Sequence, residues 1–277
     1  MSNVKVWLRY AIGAGISLLF LLPLYWGVIA SLRPVGLPPM RTIEWWPNNP
    51  AWENYQRIFE ILPLARYTIN SLLVVAFAVP VTLLIASLAG FGMSQITDED
   101  QRSQMMQFNI IALLIPGAAV WIFRFLLLKW TGLNNTLWAL VLPSFAATTP
   151  LFVMLFYWGF HQIPGEMFEA ARLDGAAPLT LWWKLAMPLA RPTITGVVVL
   201  TFVFYWSDFI TPVIYIFNPQ KYTLAIGLEI LKQMDLTNVP LLMAAATFMA
   251  TPVIILFWLL QRFFLHELSL ANLFDRS

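Results

Sequence analysis

Cysteine is absent from the 277 residues, which excludes disulfide staples, thiol nucleophiles, iron–sulfur clusters and thiolate zinc sites. Charge is scarce as well: Asp, Glu, Lys and Arg make up 11% of the chain against 60% hydrophobic residues, where soluble domains carry roughly one quarter charged residues. Sixteen basic and fourteen acidic side chains cannot furnish the polar shell that a soluble protein of this length requires. The net charge of +2 comes without clustered basic residues, so nucleic acid is not an expected partner. The bulk of the chain is expected to sit in lipid.

Motifs for chemistry are missing too. No Gly-x4-Gly-Lys-Ser/Thr run occurs and no lysine follows a glycine, so the chain has no phosphate cradle of its own. The two histidines, His161 and His266, stand apart without the His-Glu-x-x-His spacing of a metal site and read as interfacial side chains. Neither a Gly-x-Ser-x-Gly elbow nor paired carboxylates within the apolar runs supply a nucleophile or an acid–base couple. No catalytic residue, metal or bound cofactor is expected.

What the sequence has in abundance is long apolar runs. A helix needs about 20 mostly apolar residues to cross the hydrocarbon, and only helices or closed barrels satisfy their backbone there. Such runs occur at about 10–31, 67–92, 104–127, 137–160, 192–214 and 242–264, too long for barrel strands. The expectation is an all-α membrane protein with six transmembrane helices in one domain, 1–277. The first run ends in Arg33-Pro34 without a small-x-small cleavage pattern and reads as a retained span. Pro23, Pro80, Pro116, Pro143, Pro212 and Pro252 fall one in each run, which predicts bent, mutually packed helices. The stretch with Pro38-Pro39, Trp45-Trp46-Pro47 and Trp52 to Tyr55 mixes turn residues with interfacial aromatics and predicts an ordered loop at the membrane surface. The basic residues divide evenly between the two sides. Only Lys5 and Arg9 against Arg33 lean toward a cytoplasmic N-terminus.

The loop 161–191 carries the most information. Gly165 to Asp174 is predicted to form a short helix after Pro164, with Met167, Ala170, Ala171 and Asp174 along one face and Glu166 and Glu169 complementing the dipole of the first turn. Gly175 is the stop signal. A second stretch, Leu179 to Met187, carries Leu181, Trp182 and Leu185 beside Lys184 and suits the interface. Glu169-Ala170-Ala171, three residues, Gly175, nine residues, Leu185, one residue, Met187-Pro188 resembles the EAA loop of binding-protein-dependent ABC importer permeases, which usually has Ile and Leu at the last two apolar positions. Trp52-Glu53-Asn54-Tyr55, Tyr67 to Ser71, Gly132 to Thr136 and Gln261 to Phe264 look like the carbohydrate-uptake branch, similar to the second permease subunit of the maltose importer. That branch usually ends in a glycine-rich basic tail, whereas this chain closes Leu265 to Ser277 without one.

The resemblance implies a type I importer permease architecture, both termini in the cytoplasm, and a bacterial or archaeal plasma membrane location. It also implies partners: a second permease subunit as heterodimer, an ABC ATPase dimer that hydrolyses ATP with magnesium, and an extracytoplasmic solute-binding protein. Glu169, Ala170, Ala171, Arg172, Asp174, Gly175 and Pro188 would then couple the ATPase to the membrane helices, Arg172 and Asp174 through charge-assisted contacts with the ATPase surface. Asp208 is the ionisable side chain well inside an apolar run, and with Tyr205 and Trp206 it forms the candidate solute pathway, an aromatic and hydrogen-bonding set suited to a sugar. Basic residues within the runs are confined to Arg124 and Arg262 near their ends, which favours a neutral saccharide over a phosphate-bearing solute. The alternatives are a permease of the same machinery for a polyol, glycerol-phosphate-like solute or peptide, and an ion-driven secondary transporter, against which the lack of paired intramembrane acids and of a visible repeat speaks.

Overall fold

The computed structural model describes residues 3–36, 45–234 and 238–274, and side chains between 7 and 263 within them. Every regular element in those stretches is helical. They run α1 Asn3–Ser31, α2 Asn54–Ile61, α3 Leu64–Ser94, α4 Glu99–Leu114, α5 Gly117–Trp130, α6 Leu137–Val141, a 3-10 segment Leu142–Ala146 and α7 Pro150–His161. After these come α8 Gly165–Leu173, α9 Pro178–Thr180, a π-helical segment Leu181–Ala186, α10 Met187–Leu189, α11 Arg191–Trp206, α12 Ile210–Tyr215, α13 Leu224–Met234 and α14 Val239–Phe274.

Three helices, within α1, α3 and α14, are long and apolar enough to cross a membrane, and the count reaches six if each of three bent pairs is one span. The expected bends are unevenly realised. Pro23, Pro80 and Pro252 sit inside continuous helices, whereas α4 and α5 meet at 87°. There Ile115 is extended and Pro116 stands at the N-cap of α5, because a residue before proline is pushed out of the helical region. The 41° break before α7 combines Pro143 with Ala147 and Thr148, both left-handed at φ 57° and 62°. A third break of 83° separates Pro178–Leu189 from α11. The run 192–214 is not one helix either: α11 ends at Trp206 and α12 starts at Ile210. Asp208 marks that break, its Oδ1 accepting a hydrogen bond from the Thr211 amide at 3.1 Å, as a side chain does at a helix start.

The chain divides into two compact units, residues 1–66 with 224–252 and residues 67–223 with 253–277. In the first, Asn54 of α2 closes the end of α1: its Nδ2 donates to the carbonyls of Ser31 and Arg33, each at 2.8 Å. Those carbonyls lack an intrahelical partner, so the Trp52-Glu53-Asn54-Tyr55 segment is ordered as its composition suggested, with Ser31 Oγ and the Tyr55 hydroxyl 2.7 Å apart. Pro38-Pro39 lie outside the described residues.

The core of the second unit lies where α3, α7, the π-helical segment and α11 meet. Phe91, Phe152, Phe156, Phe160, Trp182 and Val197 belong to it, and their burial stabilises the assembly of helices by dispersion and close packing, the forces that hold helices together in lipid. At the other end of this unit Asn135, left-handed at φ 60°, joins two loops. Its Oδ1 accepts from the amides of Phe217 and Asn218 at 3.0 and 2.9 Å, and its carbonyl accepts from Lys221 Nζ at 2.7 Å. Asn adopts that backbone at lower cost than Ala does. Asn135→Ala is therefore expected to cost about 1–3 kcal/mol from two stranded amides, read as a lowered melting midpoint of the detergent-solubilised protein, with Asn135→Gly failing to recover the loss because it restores only the backbone.

Candidate functional site

Two sites emerge from the candidate residues, both in the second unit. The first is built on α8. Pro164 at its N-cap is extended, which starts the helix, and Glu166 lies in its first turn. Its end is a Schellman closure: the Gly175 amide donates to the Arg172 carbonyl and the Ala176 amide to the Ala171 carbonyl, each at 3.0 Å, with Gly175 left-handed at φ +82°. The face that α8 buries differs from the expected one. Phe168, 5% exposed, is the inward residue, its ring 6.1 Å from Phe91, while Met167, Ala170 and Asp174 face outward and Ala171 is half-buried. One bulky aromatic thus plugs a small helix into the core, a contact of about 1.5–3 kcal/mol.

The outward face is apolar as well as charged. Leu173 is 90% exposed, Leu179 68% and Trp183 62%, alongside exposed Glu166, Glu169 and Asp174. Arg172 turns away from that face: its Nη2 donates to Gln95 Oε1 at 2.5 Å, tying α8 to the end of α3. Beside them a cavity of about 370 Å3 is lined by Gln95, Arg102, His161, Glu169 and Arg172, among others. Leu185 and Met187 pack half-buried against the Phe168 cluster, so the two apolar positions of the motif hold the second helical stretch in place. Pro188 is exposed within α10. Trp182 is buried and its indole Nε1 has no hydrogen-bond partner among the described residues.

The second site is a cavity of about 420 Å3 between α4, α5, the break before α7, and the end of α11. Tyr205 and Asp208 line it, together with Trp121, Arg124, Thr148 and Thr211. Trp206 does not: it is buried at 1% exposure with its ring stacked on Phe202 at 5.5 Å. The Tyr205 hydroxyl lies 2.9 Å from Thr148 Oγ1, which is 2.6 Å from Thr82 Oγ1 of α3, a partly buried hydroxyl chain that fixes the ring. Thr148 is held in a left-handed conformation that a β-branched residue rarely adopts, a strain found where function over-determines the backbone. Periodicity gave no sign of Trp121, Thr148 or Phe168, and Arg124 reads from the sequence as a span-end charge although it faces the cavity. Among the described residues no group of three or more metal-ligating side chains occurs.

Comparison with known proteins adds the following. The family model described as binding-protein-dependent transport system inner membrane component matches residues 2–269. The chain is 26% identical to the sulfoquinovosyl glycerol transport system permease protein SmoH of Agrobacterium fabrum, over 87% of this chain and 84% of that one. It is 28% identical to the arabinooligosaccharides transport system permease protein AraQ of Halalkalibacterium halodurans, over 98% and 97%. A solved bacterial ABC transporter involved in the import of the acidic polysaccharide alginate contains a chain that superposes with a TM-score of 0.72 at 21% identity, over 95% and 99% of the two chains, which shows a shared fold.

Proposed function

We propose, from the premise that the chain belongs to the family of binding-protein-dependent transport system inner membrane components, that it forms half of the translocation pathway of an ABC importer for a saccharide. The observation that carries this reading is the loop built on α8, a short helix whose aromatic root is buried and which ends in exposed Leu173, followed by exposed Leu179 of α9 and Trp183 of the π-helical segment. An exposed apolar tip ringed by carboxylates suits a groove on another protein. In this reading the groove belongs to a cytoplasmic ATPase dimer, which binds ATP and magnesium, and the loop 161–191 is the EAA coupling loop. Glu169, Ala170 and Asp174 then face the ATPase, while Arg172 holds α8 to α3. Both termini are cytoplasmic, and a second permease subunit completes the pathway.

Solute reaches the outer face on a binding protein and passes by alternating access, driven by ATPase closure against α8. The saccharide assignment draws on the second cavity, where Trp121 and Tyr205 offer flat faces and Thr148, Thr211 and Asp208 offer hydrogen-bonding groups, the mixture that sugar rings require. It draws also on the saccharides in the names of the relatives. The test is co-purification of the tagged chain in mild detergent. The wild type is expected to bring down an ATPase and a second permease, and Glu169→Lys, at equal expression, to lose at least nine tenths of the ATPase while retaining the permease. A chain recovered alone in the wild type points to an ion-driven transporter instead.

A further inference from the structure

Arg124 stands in the cavity wall in a setting that a neutral solute does not explain. It lies in α5, six residues before Trp130 at the end of that helix, hence about 9 Å along the axis at 1.5 Å per residue. It is half-buried, and it lines the same cavity as Asp208, Tyr205 and Trp121. A guanidinium within a membrane span is expensive and is kept where it meets a partner or a ligand. The partner in reach would be Asp208, yet no direct ion pair closes between them among the described residues, and Asp208 Oδ1 is engaged by the Thr211 amide at the start of α12. The nearby Tyr215 hydroxyl, which donates to the Trp121 carbonyl at 3.0 Å, takes a single hydrogen bond from the Arg124 side chain. Arg124 therefore keeps most of its five N–H donors for whatever enters the cavity, and a planar fork of donors matches an oxyanion better than it matches hydroxyls.

We infer that Arg124 is a specificity-determining residue and that the solute is an acidic saccharide, a sugar whose carboxylate or sulfonate docks on the Arg124 guanidinium while its ring lies against Trp121 and Tyr205. This rests on the reading of the cavity as part of the solute's path, and it replaces the neutral saccharide expected when Arg124 was placed by its position along the chain alone. The threonine hydroxyls of the wall serve the ring hydroxyls. Asp208, turned to the helix start, keeps a counter-charge near enough to hold Arg124 in place without filling its fork.

The absence of cysteine makes a direct test available. Ala146, exposed in the cavity wall, is changed to Cys, and maleimide labelling of this chain is followed in the importer purified with its own partners and reconstituted without its binding protein. The probes share one ring: methyl glucoside, its 6-carboxylate (methyl glucuronide) and its 6-sulfonate. In the Ala146→Cys parent either acid is expected to protect the thiol at a concentration at least tenfold below that of the glucoside, with the advantage shrinking at high salt. The better of the two acids identifies the oxyanion. Arg124→Gln is expected to erase the advantage while leaving protection by the glucoside within about twofold, and Arg124→Lys to restore part of it. Equal protection by acids and glucoside in the parent overturns the inference and leaves the saccharide reading standing, as does an advantage that survives Arg124→Gln. Protection by none of the three sugars overturns both. Should Arg124→Gln fail to assemble, the parent's own ratio and its salt dependence decide.

Discussion

Gly90→Leu is expected to abolish assembly of the membrane domain, and even Gly90→Ala to lower its stability measurably. A Cβ at position 90 would stand 2.6 Å from Phe156 Cβ, 2.8 Å from the Tyr157 amide nitrogen and 2.8 Å from the Val153 carbonyl oxygen. Two of those three atoms are backbone, and α7 cannot yield there by rotating a side chain. Small residues at such crossings let helix backbones approach and gain dispersion energy that lipid does not supply by a hydrophobic driving force. Overpacking a well-filled core costs typically about 1–3 kcal/mol, and displacing a whole helix costs more. Phe156 and Phe160 sit beside the crossing, stacked at 5.6 Å, and Phe91 meets Phe160 edge-on at 5.8 Å, so a shift of α7 breaks several aromatic contacts together. The check is fluorescence-detected gel filtration with a thermal ramp: Gly90→Ala should elute as the wild type with a lower melting midpoint, and Gly90→Leu should run in the void. Wild-type elution and melting for Gly90→Leu would mean that α3 and α7 do not cross this closely. Gly92, with open space around its Cβ position, is the internal control and should accept Ala with little loss.

The sequence yields a helix best where local chemistry decides its limits. Gly165 to Asp174 was legible because a proline start, an acidic first turn and a glycine stop act over one or two residues, and α8 with its left-handed Gly175 follows them. Which face of α8 turns inward was not legible, since in nine residues a single ring outweighs the period of the small ones. Phe168 points toward Phe91, a residue far along the chain, and no local pattern reports that. The apolar runs were legible as membrane material for the same reason that their breaks were not. Hydropathy sums over about 19 residues, whereas the 87° turn at Pro116 and the left-handed pair at Ala147 and Thr148 depend on two residues each.

The cavity shows the same division. Asp208 and Tyr205 were found because a carboxylate and a tyrosine stand out in an apolar stretch, but Trp206, equally prominent in the sequence, belongs to the core. Neighbours in a helix point about 100° apart, so Tyr205 and Trp206, adjacent at the end of α11, face different surroundings. Arg124 was discounted by its distance from the middle of its run, a coordinate along the chain, when what matters is the face of α5 it occupies. Position along a span says how much a charge costs; orientation says what it is for.

Gly175→Val is expected to uncouple the importer while leaving insertion and assembly intact. Nothing lies within 4 Å of a Cβ built at Gly175, so the penalty is conformational: φ is +82°, a region that costs an L residue about 1–2 kcal/mol and a β-branched one more. The chain relieves that strain most cheaply by opening the Schellman closure, which frees the Arg172 and Ala171 carbonyls and unwinds the last turn of α8. That turn carries Arg172, whose bond to Gln95 ties α8 to α3, and Leu173 at its tip. Losing them leaves Phe168 still seated in the core, so the protein remains folded but the helix no longer transmits force. Transport in proteoliposomes should therefore fall at least tenfold while ATP hydrolysis persists without response to the solute-loaded binding protein. Gly175→Asn, which tolerates a left-handed backbone, should keep at least half of the wild-type transport. A Val variant that transports normally at equal expression would show that the closure of α8 is dispensable, and coupling would then have to run through the packing of Leu185 and Met187 instead.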